Sequence, residues 1–95
     1  MTQALDNIRN KALPILKRAG VTRSALFGSY VRGEAQPDSD IDILIEPPQG
    51  AGLFTIVALK RSLEGALKKK VDLITYRSLH PALREKILKE QIAIL

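Results

Sequence analysis

Between Leu26 and Ile45 an apolar run stops at Gly28-Ser29, a polar stretch follows, and a second apolar run opens with aspartates at positions 40 and 42. The order Asp40-Ile41-Asp42-Ile43 alternates with the period of a β-strand, and Pro47-Pro48 ends that strand because proline cannot sit in a central ladder. Val21 to Phe27 reads as the strand before it. Gly28 takes turn conformations barred to other residues, so the chain turns there. A short helical turn fits between Tyr30 and Glu34, and Ala35 to Ser39 reads as loop. Two short strands joined across this turn are the frame on which the rest of the chain must be built.

Helical spacing lies on either side of that frame. Leu5, Ile8, Ala12, Ile15 or Leu16, and Ala19 recur at helical intervals, with Thr2 as N-cap and Gly20 as stop. Pro14 falls inside this pattern and predicts a kink or a break. After the flexible Gln49-Gly50-Ala51-Gly52 bridge, a helix is expected from Leu53 to Lys68. Its expected buried stripe is Leu53, Ile56, Val57, Leu59 or Lys60, Leu63 and Leu67, and Gly65 weakens it by up to about 1 kcal/mol relative to alanine. Lys70 to Tyr76 is β-branched and apolar, a third strand. Ser78 reads as the cap of a last helix with Pro81 in its first turn and Leu83, Ile87 and Leu88 on its apolar face; Ile92 to Leu95 fits a short edge strand. The order α-β-β-α-β-α, with that optional C-terminal strand, predicts an α/β (α+β) fold: a small mixed sheet flanked by helices, with residues 1–95 as a single domain.

A chain of 95 residues, 45% of them hydrophobic, buries roughly 60–70% of its unfolded surface, enough for a modest core without staples. The absence of cysteine excludes a disulfide framework and thiolate metal sites. The N-terminus lacks a basic region followed by an apolar run, and no apolar stretch approaches the about 20 residues that span a bilayer. No membrane association is expected, and the expected location is the cytoplasm. A net charge of +5 and a pI near 9.8 point to a polyanionic ligand or an acidic partner. Single-strand nucleic-acid readers interleave basic residues with aromatic stacking platforms, and the aromatics here are only Phe27, Tyr30, Phe54 and Tyr76. Direct nucleic-acid binding is therefore disfavoured, and the lysines read as solvated helix faces.

The chemistry lies in the opening stretch. Gly28 and Ser29 offer a backbone that can approach phosphate oxygens, with a hydroxyl and an N–H beside it. Asp40 and Asp42 share a strand face roughly 6.6 Å apart along the chain, so their carboxylates can lean over one patch. Two-metal phosphoryl-transfer sites hold their ions about 3.5–4 Å apart with such groups, and magnesium prefers hard oxygen ligands and substrate phosphates. The bland alternative is a turn at Pro37-Asp38-Ser39-Asp40 whose side chains bond their own backbone. Against it stands Asp42, followed by Ile43, Leu44 and Ile45: a carboxylate in an apolar strand is costly unless paired or metal-bound. Asp72 is likewise a lone acid in an apolar strand, and it joins the other two if the strands are neighbours. Its alternative is charge balance with Lys68, Lys69 or Lys70.

The spacing Gly28-Ser29, ten residues, Asp40-x-Asp42 resembles the signature of the DNA polymerase beta-like nucleotidyltransferase superfamily. With Arg32-Gly33 and Ser39-Asp40-Ile41-Asp42 added, it is similar to the minimal members, the MNT-domain antitoxins paired with HEPN toxins. The resemblance implies the polymerase beta-like fold over the whole chain, with Asp72 as the third acid, helping to ligate metal and activating the attacking hydroxyl. It implies catalytic and metal-binding roles for Asp40, Asp42 and Asp72 with two Mg²⁺ ions, and nucleotide contacts at Gly28, Ser29, Arg32 and Ser39. Arg32 can equally pair with Glu34 or Asp38, and Ser39 can simply shape its loop. The implied activity is protein adenylylation: AMP moves from ATP to a hydroxyl, a tyrosine, of a cognate HEPN ribonuclease, which is thereby silenced within a hetero-oligomer. Two alternatives stay open, an antitoxin that only masks its toxin and one subunit of a two-component small-molecule nucleotidyltransferase.

Overall fold

The structure, a computed structural model, describes residues 2–95. Helix α1 spans Gln3–Arg18, with the Thr2 hydroxyl accepting the Leu5 N–H at 3.2 Å. Asp6 lies in its first turn and Lys17 and Arg18 in its last, the charges that complement a helix dipole. Pro14 neither breaks nor ends it. Pro14 and Asn10, whose carbonyl loses its helical donor, are both exposed, so water can satisfy that oxygen. Leu5, Ile8, Ala12 and Leu16 hold the opposite face in the core.

Strands β1 (Arg23–Phe27), β2 (Ile41–Glu46), β3 (Val71–Thr75) and β4 (Ile92–Ala93) form one sheet in the order β3-β2-β1-β4. β1 runs antiparallel to β2 and β4, and β2 runs parallel to β3. The sheet is mixed, as expected, and the C-terminal edge strand is present. Ser24, fully buried, donates its hydroxyl to the Leu44 carbonyl at 2.8 Å.

Period-two alternation divides the side chains of the central strands between two faces. Leu26, Ile41, Ile43, Ile45 and Val71 pack with α1 and with Leu59 and Leu63 of α3 (Leu53–Leu67). Phe27 and Leu44 face the other way, against Tyr76 and Leu79 and, half-buried, Ile87 and Leu88 of α4 (Pro81–Glu90). A short helix α2 (Ser29–Arg32) fills the expected turn. No helix is long and apolar enough to cross a membrane among the described residues.

Three expectations need correction. In α3, Leu53 is 74% and Val57 40% exposed: in its first turns half-buried Ile56 packs on the core while these two stay in solvent, and Leu59 and Leu63 carry the full burial. Leu83 of α4 is also exposed, at 53%, because α4 lies over a small cluster that Ile87 and Leu88 already close. Ser78 does not cap α4. It belongs to a 3₁₀ turn, Tyr76–Ser78, in which the Thr75 hydroxyl accepts the Ser78 N–H; the chain then runs extended to His80, whose Nδ1 accepts the Ala82 N–H at 3.1 Å.

We predict that Leu63→Ala lowers stability by about 2–5 kcal/mol, the range for emptying a buried leucine site, whereas Leu83→Ala changes it by less than about 0.5 kcal/mol. Urea unfolding of both variants checks this, and equal losses would contradict the packing described.

Candidate active site

The sheet order brings the acids together. β1 ends where its antiparallel neighbour β2 begins, and β3 begins beside β2 because the two are parallel. The Gly28-Ser29 turn, Asp40, Asp42 and Asp72 therefore gather at one end of the sheet. Phe27 pairs with Asp42, and Asp42 with Asp72. Neighbouring strands lie about 4.8 Å apart, so the two carboxylates stand side by side on the face that carries Leu44 and Ile74.

Gly28 is the backbone half of the arrangement. Its φ of 80° and ψ of −153° lie where side chains are rarely tolerated. A Cβ at position 28 would overlap Asp42 Oδ2 and come within 2.9 Å of its Cγ. The main chain and the carboxylate thus approach as closely as they do only because residue 28 has no side chain. Ser29 follows, half-buried, as the first residue of α2. Gly33 caps the helix in the left-handed conformation at φ 74°, and the Glu34 N–H reaches back to the Ser29 carbonyl at 2.8 Å.

Asp42 is half-buried and its pKa is pushed up to about 6, first by burial and then by the negative charges of Asp72 and Asp40, with Arg32 opposing. Asp40 and Asp72 are exposed. The three carboxylates crowd one end of the sheet without forming a closed cage: among the described residues, no three acidic or histidine side chains enclose an ion by themselves. Such a donor set fits a hard divalent cation that completes its shell with phosphate oxygens, since magnesium is usually held by one or two carboxylates plus substrate phosphates.

The balance between Asp72 and the lysines does not form. The ion pairs among the described residues are Arg32–Glu34, Arg32–Glu90 and Lys89–Glu85, and Lys69 Nζ donates to the Pro37 carbonyl at 2.8 Å. That bond and the Ile41 N–H to Lys70 carbonyl bond of 2.9 Å tie the loop carrying Asp40 to the start of β3. Ser39 shapes this loop, its Oγ accepting the Gln36 N–H at 2.7 Å.

Arg32 is held by Glu34 at 2.7 Å and by Glu90 at 3.2 Å, and its charge acts on Asp42. Glu90 was not singled out from the sequence. It lies 58 residues away at the end of α4, and no local pattern links the two. Tyr30 packs against the larger core, and buried Tyr76 donates its hydroxyl to Gln91 Oε1 at 3.1 Å, so both have packing roles. A cavity of about 710 Å³ opens at the other end of the sheet, beside Thr22, Glu46 and Thr75, and among the described residues Glu46 is the sole acid that lines it.

The nucleotidyltransferase domain model matches residues 9–94. A candidate protein adenylyltransferase of Methanocaldococcus jannaschii is 46% identical over 91 residues, covering 96% of this chain and 98% of that protein. Protein adenylyltransferase MntA of Thermococcus cleftensis is 38% identical over 78 residues, covering 82% and 79%. Among solved structures, a candidate minimal nucleotidyltransferase superposes with a TM-score of 0.81 at 42% identity, over 93% of this chain and 90% of that one. A toxin–antitoxin crystal structure with AMP-PNP superposes with a TM-score of 0.79 at 27% identity, over 92% and 72%.

The raised pKa of Asp42 carries a sign. An acid that titrates near 6 when folded and near 3.8 when unfolded favours folding below the lower value and loses that contribution as pH rises through the higher one. We predict that Asp42→Asn melts above the unaltered protein at pH 7 in EDTA, and that the gap shrinks as pH falls from 6 to 4. Thermal melts across this range test it; a gap that is absent, reversed or independent of pH would contradict the crowding described.

Proposed function

The chain belongs to the nucleotidyltransferase domain family, and from that premise we propose that it is a Mg²⁺-dependent protein adenylyltransferase acting as an antitoxin. It moves AMP from ATP to a tyrosine hydroxyl of a cognate HEPN ribonuclease and so silences it. The observation that carries this reading is the in-register pair Asp42–Asp72 beside the side-chain-free backbone of Gly28. Support also comes from the relatives named as protein adenylyltransferases and from the toxin–antitoxin neighbour with AMP-PNP.

In this mechanism the Gly28-Ser29 turn receives the phosphates of ATP, because only there can the main chain approach the carboxylates so closely. Asp40, Asp42 and Asp72 would hold Mg²⁺, which when bound offsets the negative charge of the phosphates and of the acids themselves. Asp72, exposed at the edge of the site, faces the incoming acceptor and takes its hydroxyl proton. The acceptor oxygen bonds to the α-phosphorus, the bond from that phosphorus to the bridging oxygen breaks, and pyrophosphate leaves. Arg32 is already poised by Glu34 and Glu90 near Asp42 and can lend its planar fork to phosphate oxygens. The surface that presents the acceptor hydroxyl belongs, in this reading, to the partner protein.

With α-labelled ATP and Mg²⁺, the chain should label its cognate HEPN protein. Asp42→Ala should reduce transfer below detection, and Asp72→Asn should slow it by about 10²–10⁴-fold, the usual contribution of a positioned base. Undiminished labelling by Asp42→Ala would sink the assigned site. Suppression of toxicity by an Asp42→Ala chain that transfers no label would favour masking.

A further inference from the structure

The first two turns of α3 leave Leu53 74%, Phe54 90% and Val57 40% exposed. Three neighbouring apolar side chains, one of them an almost fully solvated phenylalanine, form a surface patch of the kind that marks an interaction site. Grooves flank it on both sides. One is lined by Pro47, Pro48, Leu53, Ile56 and Arg77, the other by Ile15, Arg18, Thr55 and Ala58.

Charge selects the occupant. Arg77 and Arg18 lie in the two grooves, and Arg61 follows Val57 by one helical turn on the same face; all three are exposed. Glu46 is the acid lining the first groove. A second copy of this chain would bring the same arginines against these and add its own +5 to a net charge of +5, which opposes self-association. A partner with an apolar centre and an acidic rim satisfies both the patch and its border.

Position adds a second argument. α3 follows the end of β2, and the groove beside Leu53 is lined by Glu46 and Thr75, the ends of β2 and β3 farthest from Asp42 and Asp72. A partner seated here leaves the carboxylate end uncovered.

We propose that the exposed face of Leu53, Phe54 and Val57 is the seat of an acid-rimmed apolar surface of the protein partner, separate from the site of AMP transfer. It rests on the proposed function for the identity of that partner. Docking and chemistry are then separable: a molecule can be held at one end of the sheet while a hydroxyl of the same assembly reaches the other.

The test compares the unaltered chain with Phe54→Asp and Phe54→Leu, each mixed with the cognate HEPN protein. Light scattering after size exclusion reads the assembly, and titration calorimetry reads affinity. Because Phe54 is solvated, both variants should melt with the unaltered chain and bind AMP-PNP with Mg²⁺ equally well. Phe54→Asp should weaken the complex by about 30-fold or more, as expected for loss of a buried aromatic anchor, with Phe54→Leu in between. An undiminished complex with Phe54→Asp would overturn the assignment. So would an unaltered chain that dimerises alone and becomes monomeric on this substitution, which would make a second copy the occupant. If the unaltered chain forms no complex at all, the partner reading falls and this surface with it; a complex formed equally by all three chains removes the surface alone.

Discussion

Burial of Ile41, Ile43 and Ile45 against α1 and α3 decides which way Asp42 points. In a strand the side-chain period is two, so a slip of one residue would exchange the faces and send the acid into the core. The apolar residues thus fix the polar one. Once β2 is set, the pairing with β1 brings Gly28 to Asp42 and the pairing with β3 brings Asp72 to it. The position of the site is a consequence of core packing and strand order rather than of contacts among the site residues themselves.

Those contacts are in fact unfavourable. Asp42 is half-buried next to two other carboxylates, and its raised pKa records the strain. The protein tolerates it because Arg32 stands near, restrained by Glu34 and Glu90, and because Gly28 lets the backbone close over the group without a side chain. Stability set aside in this way is common where a site awaits charged ligands. The exposed face of Leu53, Phe54 and Val57 on α3 is unlike it: apolar, bordered by arginines and at the other end of the sheet from the acids, it suits a partner rather than a nucleotide.

The strands and the acids were legible in the sequence because their signals are local. Alternation at Asp40–Ile43, the Gly28-Ser29 stop and the apolar run around Asp72 each lie within a few residues. Elsewhere tertiary context overrode the pattern. Pro14 did not break α1, because it falls on the solvent face while Ala12 and Leu16 anchor the other. Leu53 and Val57 obey helical spacing yet stay exposed, because Ile56, Leu59 and Leu63 are the side chains of α3 that meet the core. Ser78 is a good cap by type, but the Thr75 turn engages it first. Glu90 was invisible because its tie to Arg32 is a property of the folded chain alone.

In the proposed function Gly28, Ser29, Asp40, Asp42 and Asp72 form one centre for metal and nucleotide at the end of the sheet where strand pairing gathers them. Mn²⁺ with AMP-PNP tests it directly, because a bound paramagnetic ion broadens nearby amide signals in a nitrogen-15-labelled sample. Broadening should be strongest at those five residues and fall off along β2 and β3 toward Glu46 and Thr75 at the far end. Broadening centred on the Glu46–Thr75 end, or spread evenly over the acidic surface, would contradict it.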